Sequence, residues 1–315
     1  MIEVNLILEI VSNILPIFVM IAIGMICKKA NLLSRNGTKE IKRLITTIVL
    51  PVAVFHAMAT ADYNAHTSVL VIGIFVVLLI SFGIGFLLRP LLPGQYRRYL
   101  PFITAVYEGG MMAYPLYTNL FGADKLSNIA IFDIANMIFG FSVFMTMLQS
   151  TDSGKEIKPS LIVRDALKSP VFLAMALGII CGISGIIPFI LRSDVGIVYT
   201  SLKDMITSML NALILIIVGY DFEFDPKRVV ISLRAILLRV LTQGLLFLPL
   251  IFLIRHLYPG NTLMMAALLI YMSAPPSFST QSYIESEEPG KFIATTNSLY
   301  TVVSLAVYVV AAVMF

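Results

Sequence analysis

The chain has 315 residues, of which 58% are hydrophobic and only 13% charged, and its mean hydropathy is +0.93. Soluble domains carry about 25% charged residues, so a soluble globular fold is excluded. A membrane barrel is excluded too, because its short alternating segments are absent. The net charge of +4 lies in loops and bears on orientation, not on binding nucleic acid.

Apolar runs of roughly 20 residues, enough to cross about 30 Å of hydrocarbon, recur along the whole length. They place ten predicted spans at about 5–27, 38–60, 67–89, 99–121, 126–149, 166–190, 197–220, 229–254, 261–284 and 290–313. Backbone groups in lipid must be satisfied within the segment, so each is expected to be a helix. The first run lacks a basic start and a small-residue cleavage site and reads as a retained span. Cys27 and Cys181 lie inside apolar runs and read as small hydrophobes, with no metal or redox role. A polar stretch near the middle divides the chain into a first repeat (1–150), a central cytoplasmic loop (151–168) and a second repeat (169–315).

Charge orients these spans. Seventeen of the 22 Lys and Arg residues fall on one side, in Lys28–Arg43, Arg89–Arg98, Lys155–Lys168, Lys227–Arg234 and Lys291. The other side holds only Lys125, Arg192 and Arg255. The positive-inside rule then puts both termini outside, in a multi-pass protein of the cell membrane.

The halves match at a shift of 161 residues: Lys42 falls on Lys203, Thr46 on Thr207, Asp62 on Glu223, Pro115 on Pro276, Asp124 on Glu285 and Asn136 on Asn297. Spans one and six align at a shift of 154, where Pro16, Gly24 and Cys27 meet Pro170, Gly178 and Cys181. Five spans per half force opposite orientations, so the fold expected is all-α, with ten transmembrane helices as two inverted five-helix repeats. Inverted repeats of this kind serve alternating access in secondary transporters.

Span four carries Glu108-Gly109-Gly110 and Tyr114-Pro115; span nine carries Pro275-Pro276-Ser277, then Ser279, Thr280 and Gln281. Proline lacks an amide hydrogen and clashes with the preceding turn, and a Gly pair loosens the backbone further, so both spans should break. Half-helix amino termini present free N–H groups suited to a carboxylate. Prolines also kink membrane helices with no ligand involved, which is the reading for Pro16, Pro51, Pro170 and Pro249. Two breaks at mated positions point instead to a substrate site. Asp133 and Asn136, which share a face of span five, and Asn297 on span ten can face it, although such residues also glue helices together. Lys203 and Asp204 read as lying near a helix start, and Arg239 as snorkelling or pairing with an acid.

With Ile14-Leu15-Pro16, Val49-Leu50-Pro51, the series Gly110, Pro115, Leu116, Phe121-Gly122, and Ala274-Pro275-Pro276 in this order, the chain resembles the auxin efflux carrier family, whose bacterial members include malate and malonate permeases. The resemblance implies crossed broken helices four and nine, a scaffold part and a transport part, and elevator-like movement of a small organic anion such as malate, malonate or an auxin-like acid. It also implies a homodimer in the lipid bilayer and no cofactor. The family usually shows Asn where this chain has Glu108. A mid-span acid is costly and suggests function, so Glu108, with Asp133, is the candidate proton-coupling residue; a structural glutamate held inside the bundle is the plainer alternative. An ionised Glu108 would repel an anion, which leaves a cationic or zwitterionic substrate open. A sodium-coupled symporter of the bile-acid type, a channel and a receptor are the remaining alternatives. No HExxH, P-loop or GxSxG occurs, which argues against an enzyme.

Overall fold

A computed structural model describes residues 2–153, 164, 166–278, 280, 284 and 286–315. Ser279, Gln281, Glu285 and most of the 151–168 connection, named above, lie outside these. All regular structure among the described residues is helical. In chain order the elements are α1 (Ile2–Lys29), α2 (Arg35–Ala59) and α3 (Ala65–Leu91), α4 (Leu100–Ala105), α5 (Tyr114–Phe121), and α6 (Ala123–Asp152). They continue with α7 (Pro170–Ile183), α8 (Ile186–Leu191), α9 (Val195–Asp221) and α10 (Val229–Leu257), α11 (Thr262–Met272) and α12 (Glu287–Met314). Seven of these, α1, α2, α3, α6, α9, α10 and α12, contain stretches long and apolar enough to cross a membrane.

The predicted spans that break are four, six and nine, and span seven carries a short turn at 208–209. Spans four and nine break at the residues expected to break them. The interruption of span six was not expected: Gly185 takes φ +72°, a left-handed conformation open to glycine, and separates α7 from α8. Polar caps set several starts. Ser34, Asn64, Ser169 and Asn261 accept from the backbone N–H three residues on, satisfying donors that a new helix leaves unpaired. Pro170 sits at a helix start, Pro51 follows a π turn, Ile45–Val49, within α2, and Pro16 and Pro249 lie inside helices.

Two seams run through the molecule. α1 lies along the Leu210–Asp221 half of α9, and α7 along the Leu50–Ala59 end of α2. Both are backbone contacts made possible by glycine. A Cβ at Gly24 would fall 2.0 Å from the Ile216 carbonyl oxygen, and one at Gly178 2.7 Å from that of Phe55. Lipid gives helices no hydrophobic drive to associate, so close approach of small residues supplies the packing. α8 packs on α7 and α9, and the remaining helices form a second body in which α3 packs on α4, α6 and α10, while α11 packs on α6, α10 and α12. This body surrounds the two breaks, and the fully buried Arg239, Tyr114, Tyr271 and Tyr300 lie within it.

Candidate functional site at the crossing of the two breaks

Span four leaves the helix after Ala105, where Val106 becomes extended, and resumes in a π turn, Gly109–Ala113, ahead of Pro115. Pro115 has no N–H to offer, and the wider turn is how the chain re-enters the helix. Span nine leaves the helix after Met272 and runs through Pro275 and Pro276. The two irregular stretches bond directly, the Glu108 N–H donating to the Pro275 carbonyl at 2.8 Å.

Glu108 joins the breaks a second time through its side chain. Oε1 accepts from the Met111 N–H at 3.2 Å and Oε2 from the Phe278 N–H at 2.7 Å, with the Ser277 hydroxyl in hydrogen-bond contact as well. One carboxyl group, 9% exposed, thus holds amides from both breaks, an arrangement that suits negative charge. Asp133 of α6, also buried, accepts from the Tyr114 and Tyr271 hydroxyls at 2.8 and 2.5 Å and from the Asn136 amide at 2.9 Å. Asn136 in turn clamps the backbone of Tyr107, donating to its carbonyl at 3.0 Å and accepting from its N–H at 3.3 Å. Gly109 is fixed by this group: a Cβ there would meet the Asp133 carboxyl oxygens at 2.7 Å.

The carbonyl side of the crossing has its own bridge. Arg239 of α10, 0% exposed, donates to the carbonyl of Ile103 at the end of α4 and, at 2.9 Å, to that of Ala274 past the end of α11. Its guanidinium also stacks between the Tyr107 and Tyr300 rings, at 5.1 and 4.9 Å. One turn on, Gln243 donates to the Thr104 carbonyl at 2.6 Å and bonds the Tyr107 hydroxyl. Arg239 therefore neither snorkels nor pairs with an acid, as its sequence position suggested; it satisfies helix ends that would otherwise be orphaned in the bilayer.

A cavity of about 390 Å³ opens against this crossing. Glu108, Gly109, Gly110, Tyr114, Asp133, Asn136 and Ser277 line it, facing Thr46 and Leu50 of α2, Phe141 and Phe144 of α6 and the Ser169–Val171 start of α7. A second cavity, about 250 Å³, is lined by His56, Thr60, Thr118, Lys203, Thr207 and Asn211, and it too reaches Tyr114. Along α2 the first takes Thr46 and Leu50 and the second Ala53 to Thr60, so the cavities lie one beyond the other along the helix.

A family model described as membrane transport protein matches residues 9–283 of the sequence. The chain belongs to this family, that of the auxin efflux carriers. No curated protein matches it. Membership together with the apolar helices makes this a multi-pass membrane transporter, from a family of transporters and not of enzymes.

Of the residues singled out in the sequence, seven line the cavity, and four others support it from behind or lie beside it. Pro115 is buried at the start of α5, Pro275 lends its carbonyl to Glu108, and Pro276 follows it, buried. Among the described residues the Asn297 side chain reaches only the Ser277 carbonyl, at 3.5 Å. Lys203 and Asp204 pair with each other within α9, not at a helix start. Sequence reasoning passed over Gln243, Tyr107 and Tyr271. The spacing of Arg239 and Gln243, which puts two strong donors on one face of an apolar helix, was the available signal.

Proposed function

We propose that the chain is a secondary carrier of a small organic solute, built from ten spans in two inverted five-helix repeats and working by elevator-type alternating access. The observation that carries this reading is the pair of cavities that meet at Tyr114. Their walls are related by the 161-residue shift: Thr46 and Leu50 line the first, while Thr207 and Asn211 line the second. Mated threonines also make the same bond, Thr46 to the Lys42 carbonyl and Thr207 to the Lys203 carbonyl, each at 2.9 Å. The seams fit the same scheme, since the first span of each half packs on the second span of the other and uses mated glycines, Gly24 and Gly178.

In this reading α1, α2, α7 and α9 are the scaffold, and the body around the crossing carries the solute past it. Both termini lie outside in the cell membrane, and the first cavity faces the cytoplasm. An organic anion, the class implied by the resemblance, would have to replace Glu108 at the Met111 and Phe278 amides, with Glu108 taking up a proton as it leaves. For an anionic solute, that exchange would be the form of proton coupling.

Purified protein in proteoliposomes should show saturable uptake and counterflow of its solute when offered labelled mono- and dicarboxylates and amines at two pH values, with and without sodium. A unitary conductance without counterflow would overturn the carrier reading. Strict sodium dependence would replace proton coupling with the symporter alternative. Glu108→Gln should leave uptake independent of pH; an unchanged pH profile removes the coupling role.

A further inference from the structure

The cavity at the crossing is walled by two carboxyl groups, Glu108 and Asp133, and by no Lys, Arg or His among the described residues. The hydrogen-bond partners found for these acids are neutral: two backbone amides and a hydroxyl for Glu108, and two phenols and an amide for Asp133. The cations nearby are engaged elsewhere. Arg239 does not reach the cavity and is held by two carbonyls and two tyrosine rings, and Lys203 pairs with Asp204 in the second cavity. A buried carboxyl group without a counter-charge is costly to ionise, and a ligand that supplies the counter-charge stabilises the ionised form.

The rest of the wall is apolar or aromatic, with Leu50, Met137, Phe141, Phe144 and Val171 prominent. A volume of about 390 Å³ lies within the range of small-molecule sites. The amides that would otherwise attract an anion are already occupied by Glu108. Resting on the carrier reading above, we propose that the solute of this chain is a small organic ammonium compound whose apolar body fills the cavity and whose ammonium group faces Glu108 and Asp133. The anion expected from the family resemblance then meets the wrong charge, because Glu108 stands where that resemblance leads one to expect a neutral Asn.

Two ligands of the same body and opposite charge test this directly: 2-phenylethylammonium and 3-phenylpropionate, titrated into the purified full-length protein in detergent by calorimetry. The ammonium compound should bind at least about tenfold more tightly, the scale of one hydrogen bond to a charged group, and Glu108→Gln should remove most of that preference. Gly140→Leu should abolish binding without lowering the melting temperature, because Gly140 lines the cavity and a Cβ there has nothing within 4 Å. Tighter binding of phenylpropionate, no binding of either compound, or binding untouched by Gly140→Leu overturns the assignment. Binding is read apart from transport, so the two readings can fail separately. Ammonium binding without counterflow sinks the carrier and keeps the charge class, whereas counterflow restricted to carboxylates does the reverse.

Discussion

The two interruptions occupy mated places in the sequence, yet they are held in different ways. The first is closed on its amide side by its own half, where Asn136 takes both backbone groups of Tyr107 and Glu108 caps the Met111 amide, and on its carbonyl side by Arg239 and Gln243 of α10. The second draws on both halves as well, through other side chains. Its Phe278 amide is held by Glu108, its Ala274 carbonyl by Arg239 and its Ser273 carbonyl by Ser304 at 2.5 Å. Asn297, the mate of Asn136, makes one long bond, and its Oδ1 is buried without a hydrogen-bond partner among the described residues, as is the Thr280 hydroxyl. Mated interruptions can therefore be held by side chains that are not themselves mated.

Arg239 is the strongest point at which to break this comparison, since it serves both interruptions. Arg239→Met strips charged donors from two buried carbonyls and should cost about 3 kcal/mol or more. The expected result is a large fall in melting temperature in detergent together with loss of uptake; a protein that melts normally would show that the breaks do not need the bridge. The mated asparagines give the next largest effect. Asn136→Ala should destabilise by about 2 kcal/mol, whereas Asn297→Ala should stay within about 1 kcal/mol, as read by paired thermal melts. Equal losses would mean that the two interruptions are supported alike.

Smaller effects sharpen the picture. Tyr114→Phe removes one of three bonds to Asp133 and should cost about 1 kcal/mol. Because Tyr114 stands between the cavities, this change should shift the uptake rate more than the melting temperature. Lys203→Gln breaks a partly exposed ion pair in the second cavity and should change stability by less than about 1 kcal/mol. A loss as large as that of Arg239→Met would make Lys203 part of the crossing's framework.

Much of this was legible in the sequence because membrane physics leaves few choices. Prolines and paired glycines in an apolar run mark interruptions, and Glu108 stood out as an acid in lipid. The position of span four's break, the convergence of Glu108, Asp133 and Asn136, and the family all followed from such signals. What escaped notice depended on partners distant in the chain. Arg239 looked like a snorkelling cation because its acceptors are backbone carbonyls, which one residue's identity does not advertise. Glu108 could be flagged as functional, but not as the residue occupying the amides of both breaks, because Phe278 lies 170 positions away. The interruption of span six rested on Gly185, a single glycine in a left-handed conformation, and apolar run length conceals such a point.

The glycine seams also bear on how the protein is made. α1 finds its place against α9, and Gly24 can meet Ile216 only after most of the chain has been synthesised. Until then α1 has only a light contact with α5, and its glycine groove is bare. Assembly in the bilayer is thereby tied to the second half, and the first five spans released on their own would lack one wall of each seam.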